Sequence, residues 1–184
     1  MSHNTTVAGE PSAVPADPTS PAPAPAVRPI DIVAGYARQA AASLHTVEFD
    51  PVSRWYRRLH AADDHEVWLL SWLPGQGTGL HDHGESSGAF TVVAGTLHER
   101  SLIATPRGRG AARERLLVPG ATRAFGQGYI HQVTNTGTEP AVSVHVYAPR
   151  LTAMTIFEND AGLLGRPGDG PLTQLRVERS GEDW

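Results

Sequence analysis

Between residues 53 and 148 the chain repeats one pattern: short runs rich in Val, Leu, Trp, Tyr and Thr, each closed by a cluster of Gly or Pro. The runs cover 53–60, 65–73, 88–99, 114–118, 129–136 and 140–148, and the breaks read PGQGTGL, HDHGES, AGT, TPRGRGA, PGA, GQG and NTGTEP. Strands of this length and spacing build an all-β sandwich or barrel rather than alternating β and α units.

The flanks differ. Residues 1–28 are a Pro, Ala, Ser and Thr mixture with almost no large apolar side chain. They cannot bury enough surface to offset their ordering entropy, so a disordered tail is expected. A single domain over 29–184 is expected to follow. It opens on a helix over 31–44, capped by Asp31, with Ile32, Tyr36, Ala40 and Leu44 on one face. The Gly-rich, charged stretch 162–184 reads as a loop with at most a short strand at 172–177.

Composition excludes several functions. All 15 basic residues are Arg, they are scattered apart from a run at 107–115, and the net charge is −4. No coherent basic face exists for nucleic acid. With no cysteine, disulfides and thiolate metal sites are excluded, and a metal must sit on His or carboxylate. No apolar run approaches a membrane span, and no basic segment followed by an apolar one opens the chain. A cytoplasmic monomer is the expectation.

Of nine histidines, His3, His45, His60, His65 and His98 are read as surface or core residues. His81 and His83 stand apart, because at i and i+2 on an extended strand both imidazoles face one side. The frame around them strengthens the signal. Gly75, His81-Asp82-His83 and Gly95 match the first cupin motif; Gly120, Gly126, Gly128, His131 and Asn135 match the second, with Gly126 where the consensus has proline. The match implies a cupin (jelly-roll) barrel holding one metal on His81, His83 and His131. The Glu that often serves as fourth ligand is replaced at its two candidate positions by Ser87 and Gly88, and Glu85 is too close to His83 to substitute. Imidazole ligation alone suits Fe, Zn, Cu or Ni.

Residues 54–154 resemble the type I cysteine dioxygenase family. The likeness is carried by Arg54-Trp55-Tyr56-Arg57-Arg58-Leu59, by Gly75-Gln76-Gly77 through His83, by Gly95-Thr96-Leu97-His98-Glu99, and by His131 to Asn135 with Thr138 to Tyr147. The resemblance implies Fe(II) as cofactor, and a small thiol and O₂ as partners. It implies oxidation of L-cysteine to its sulfinic acid, the substrate reaching the iron through thiolate and amine. It places the carboxylate-binding arginine at Arg57, although Arg54 and Arg58 stand beside it. Ser143, His145 and Tyr147 alternate along one strand and so can form a hydrogen-bonded line ending in a phenol at the metal. Mammalian members crosslink that tyrosine to a cysteine; the matching position here is Gly88, so Tyr147 must act unmodified. The family often carries Tyr where this chain has Trp55. Two other functions stay open: a 3-mercaptopropionate dioxygenase, in which Gln commonly takes the place of the arginine, and a non-enzymatic cupin that binds a metal or small ligand. A cis bond at Ala148-Pro149 is a further expectation.

Overall fold

A computed structural model of the chain describes residues 27–103, 111–159 and 172–179; the expected N-terminal tail lies almost wholly outside these residues. Among the described residues one α-helix, α1 (Pro29–Ala42), and a short 3₁₀ turn, Leu44–Thr46, precede eleven strands. The helix starts two residues before Asp31, because Pro29 takes the first helical position, where a fixed φ helps and a missing N–H costs nothing. Asp31 therefore sits in the first turn instead of capping it, with an oxygen 3.5 Å from Arg28 Nε.

The strands are β1 (Tyr56–Ala61), β2 (Glu66–Trp72), β3 (Leu80–His81), β4 (Ser87–Ala94), β5 (Leu97–Ile103), β6 (Ala111–Leu117), β7 (Thr122–Phe125), β8 (His131–Thr134), β9 (Ala141–Ala148), β10 (Ala153–Asn159) and β11 (Leu172–Arg179). They form two antiparallel sheets, in the orders β1-β2-β9-β4-β7 and β11-β10-β3-β8-β5-β6. This is the expected all-β cupin barrel with an N-terminal helix. The expected run 88–99 is two strands, turned at Gly95, whose φ of +68° and contact with Pro140 and Ala141 leave no room for a side chain. Strands β7 and β10 were not expected; the strand expected to carry both His81 and His83 ends at His81 as β3, and His83 lies in the loop that follows. β7 is too short to show a period, and the alternation of β10 breaks between Ile156 and Phe157, where its pairing with β11 shifts register. The C-terminal stretch contributes a full eight-residue strand, β11, paired along its length with β10.

Two apolar layers hold the five-stranded sheet. Period-2 alternation along β9 sends Val142, Val144 and Val146 outward beside Val67, Leu69 and Ala89 of the neighbouring strands, and Val33 and Ala40 of α1 cover this face. The opposite face turns Ser143, His145 and Tyr147 into the barrel, beside Trp72, Phe90, Phe125 and Leu151. All eight residues of β9 are buried, so its polar side chains must find partners inside.

Candidate metal centre and cavity

His81 on β3 pairs directly with His131 on β8, and His83 lies two residues beyond His81. The loop that carries His83 is pinned at Asp82: its N–H donates to Thr155 O, and its carboxylate accepts from Gly84 N and Thr155 N. The three imidazoles are buried, and each offers a nitrogen within 4.8 Å of the others. Among the described residues no carboxylate joins the group, and Glu85 is exposed.

Two hydrogen bonds set the tautomers. His81 Nδ1–H donates to Gly79 O at 2.9 Å, and His131 Nδ1–H donates to Glu99 Oε1 at 3.1 Å. Each ring is left with a lone pair on Nε2, the form a metal requires. Burial, then the neighbouring His131, pushes His81 down to about 3, and burial also holds His83 well below the usual histidine range. His83 Nδ1 is buried with no hydrogen-bond partner, so no second bond fixes that ring. Three converging imidazoles fit a divalent transition metal.

Behind His131 stands a charged cluster that sequence reasoning missed. Glu99 is fully buried and accepts from His131 Nδ1, Arg123 Nε at 2.9 Å and Tyr129 Oη at 3.1 Å, with Arg115 Nη1 at 3.4 Å. Burial alone would raise its carboxyl pKa, but the His131 bond and the Arg123 guanidinium outweigh that and hold it below the usual range. Its signal was a carboxylate on the inward face of a strand, in phase with Leu97 and Ser101.

The three histidines line a cavity of about 270 Å³. Along its wall runs a hydrogen-bonded line. Trp72 Nε1 donates to Ser143 Oγ at 2.9 Å, Ser143 Oγ meets His145 Nε2 at 2.8 Å, and His145 Nδ1 lies 3.4 Å from Tyr147 Oη. The indole can only donate, so Ser143 accepts from it and gives its proton to His145 Nε2. A neutral His145 then carries its proton on Nδ1 and donates to Tyr147, whose own O–H is left for the cavity. Burial keeps His145 neutral, far below its ordinary range, and raises the Tyr147 phenol above its own. The Phe90 ring stacks on His145, with centroids 4.9 Å apart. Gly88 pairs with Tyr147 across β4 and β9, and a side chain there would overlap the Phe125 ring. Phe125 thus takes the space a cysteine would need.

Arg57 lies elsewhere. It is exposed, with its guanidinium 5.6 Å from the centre of the Trp55 ring, and it does not line the cavity. Strand register explains why. Arg57 pairs with Leu69, which packs in the layer beneath α1, whereas Tyr56 pairs with Leu70 and Arg58 with Trp68, both in the cavity wall. Arg54 shares the phase of Tyr56, lines the cavity and lies 5.1 Å above the Trp72 ring. Burial lowers its pKa, while Tyr147, Tyr56 and Glu178 act in the opposite direction. An arginine remains a cation even so. The resemblance placed the role on Arg57, with Arg54 and Arg58 beside it, and β1 has no apolar alternation to show which face turns inward. The Ala148–Pro149 bond is cis.

With this geometry the chain can be set beside known proteins. It is 31% identical over 102 residues to cysteine dioxygenase type 1 of Bos taurus, covering 52% of this chain and 50% of that protein. The Danio rerio protein of the same name is 31% identical over 106 residues, covering 52% and 51%. The chain thus spans about half the length of the curated relatives it matches. Among solved structures, TT1209 from Thermus thermophilus superposes with a TM-score of 0.51 at 24% identity, over 59% of this chain and 94% of that one, a likeness of fold. The family model described as cysteine dioxygenase type I matches residues 26–160, nearly three quarters of the sequence and all three histidines. The chain belongs to the cysteine dioxygenase type I family.

Proposed function

We propose that the chain is a thiol dioxygenase that converts L-cysteine and O₂ to cysteine sulfinic acid at one iron(II) held by His81, His83 and His131. One observation carries the reading. Three imidazoles with converging nitrogens share a cavity with a protonated phenol at the end of a buried hydrogen-bonded line and with a half-buried guanidinium. A passive binding site has no need of that line.

The reaction balances as RSH + O₂ → RSO₂H: the S–H and O–O bonds break, both oxygen atoms become bonded to sulfur, and the thiol proton passes to the sulfinate oxygen or to water, with O₂ as the four-electron oxidant. Iron(II) would supply the redox chemistry with O₂ that side chains lack. The protein's part is to bind, orient and donate. Arg54 takes over the carboxylate role that the resemblance placed on Arg57, since a guanidinium fork meets a carboxylate through two parallel hydrogen bonds. Tyr147, held by His145 and Ser143, donates its phenolic proton as a hydrogen bond to negative charge that develops in the cavity. Its raised pKa keeps that proton in place. Trp72, Phe90 and Leu151 wall the site from bulk water, which strengthens each of these interactions.

The test is oxygen consumption by the iron-loaded protein with L-cysteine, with mass spectrometry for the sulfinate and 3-mercaptopropionate run in parallel. Stoichiometric O₂ uptake, with both oxygen atoms gained by cysteine, is the expected result. Uptake with 3-mercaptopropionate alone would move the substrate assignment, and none with either thiol would leave a binding protein.

A further inference from the structure

Arg54 lies ahead of β1, outside the ladder that β1 forms with β2 from Tyr56 onward. The backbone on either side of it is held instead. Trp55 O accepts from Ser71 N–H at 2.9 Å, and Ser53 O accepts from Gln76 Nε2 at 3.0 Å. The same amide nitrogen donates to Asp50 O at 2.7 Å. Segment 50–53 is already a closed turn, because Asp50 Oδ1 accepts from the N–H groups of Val52 and Ser53 at 2.7 and 3.3 Å. Gln76 thus grips a preformed unit by two carbonyls and sets where it sits against the barrel.

Gln76 is itself anchored. Its backbone carbonyl accepts from Asn135 N–H at 2.9 Å, and Gly75 N–H donates to Asn135 O at 2.9 Å. Asn135 is fully buried and directly follows β8, the strand that opens on His131. The side-chain Oε1 of Gln76 accepts from Leu73 N–H at 2.8 Å. Its oxygen therefore faces a donor and its nitrogen two acceptors, an arrangement that one orientation of the amide satisfies. A line of hydrogen bonds runs from the strand of a metal-site histidine, through Gln76, to the backbone beside Arg54. The guanidinium and the three histidines are in this way held in register with one another.

We propose that Gln76 is a positioning residue that sets the reach of Arg54 from the metal site, and so decides how firmly a thiol's carboxylate is held. The inference rests on the Arg54 role in the proposed function and adds to it a residue outside the cavity wall. A ligand held at both ends, by thiolate and by carboxylate, is sensitive to that distance; a thiol without a carboxylate is not.

The experiment is calorimetric titration of the full-length, iron(II)-loaded protein, free of O₂, with L-cysteine, 3-mercaptopropionate and cysteamine, which lacks the carboxylate. Gln76→Met removes all three side-chain bonds at similar volume. Gln76→Glu keeps the acceptor for Leu73 N–H and loses only the two donations to 50–53. Each is expected to weaken L-cysteine and 3-mercaptopropionate by about 10-fold, with cysteamine within about 2-fold and iron content unchanged. In an Arg54→Ala background the same substitutions should weaken L-cysteine by less than about 2-fold further, because Gln76 acts through the arginine. Equal loss for all three thiols, no loss, an undiminished loss in the Arg54→Ala background, or failure of both variants to fold overturns the inference and leaves the proposed function standing. Failure of all three thiols to bind the wild-type protein overturns the proposed function, and this inference with it.

Discussion

Arg54 and Arg57 differ in sequence by three positions and in environment by the thickness of a sheet. Arg54→Ala removes a charge-assisted partner from the cavity and is expected to weaken L-cysteine binding by roughly 2–5 kcal/mol, with metal content unchanged. Arg57→Ala removes an exposed cation over Trp55 and should change binding by less than about 0.5 kcal/mol. Titration of both variants with L-cysteine checks this, and the reverse ranking would return the carboxylate to Arg57. Tyr147→Phe keeps the ring and loses only the hydroxyl. Fold, metal and most of the affinity should persist while turnover drops about 10- to 100-fold, the effect of one hydrogen bond of roughly 1.5–3 kcal/mol made in the transition state. His145→Ala should match it, because either change breaks the same line; full activity in Tyr147→Phe would reduce the residue to packing. Glu99→Gln keeps the shape but removes the charge behind His131. Metal affinity, read by competition with a chelator, is expected to fall about 10- to 100-fold.

At the scale of the element, β9 divides stability from chemistry by parity alone. Its odd positions, Ser143, His145 and Tyr147, carry the line; its even positions, Val142, Val144 and Val146, hold α1 to the sheet. Val144→Ala should therefore cost roughly 1.5–3 kcal/mol in chemical denaturation from lost burial and the cavity left behind. Thiol affinity and metal content should stay as they are. A change in thiol binding as large as that of Arg54→Ala would mean that the two faces are coupled. Much of β9 was legible beforehand, since period-2 alternation names the partners of each face once a strand is recognised. The phase of β1 was not legible. Its residues are nearly all exposed, so polarity does not distinguish inside from outside, and only its register with β2 decides.

For the whole molecule, the site is assembled from far apart along the chain, and the fold bears the cost of burying it. His81, His83 and His145 are all held neutral, chiefly by burial, with His81 pushed to about 3 against the ordinary 6.5. The unfolded chain therefore takes up protons first as the pH falls. In the metal-free protein stability is full above about pH 6.5 and is lost progressively as the pH falls toward 3. Denaturation midpoints measured in chelator should decline between about pH 7 and pH 5. Midpoints that stay level across that interval would mean the histidines do not reach the buried neutral state described.

What the sequence determined by itself was whatever depends on local spacing. The β-rich pattern between Gly and Pro clusters, the two motif halves with His81, His83 and His131, and the alternation of Ser143, His145 and Tyr147 are all of this kind. Each is a periodicity or an interval, written in consecutive residues and set by strand geometry. What the tertiary structure decided concerns which surfaces meet. Arg54 rather than Arg57 enters the cavity because of the β1–β2 register. Glu99 stands behind His131 because β5 pairs with β8, and Glu178 comes beside the site because β11 adds to β10. Pairing between distant strands is a non-local choice, made by the packing of whole faces, and no short stretch of sequence records it.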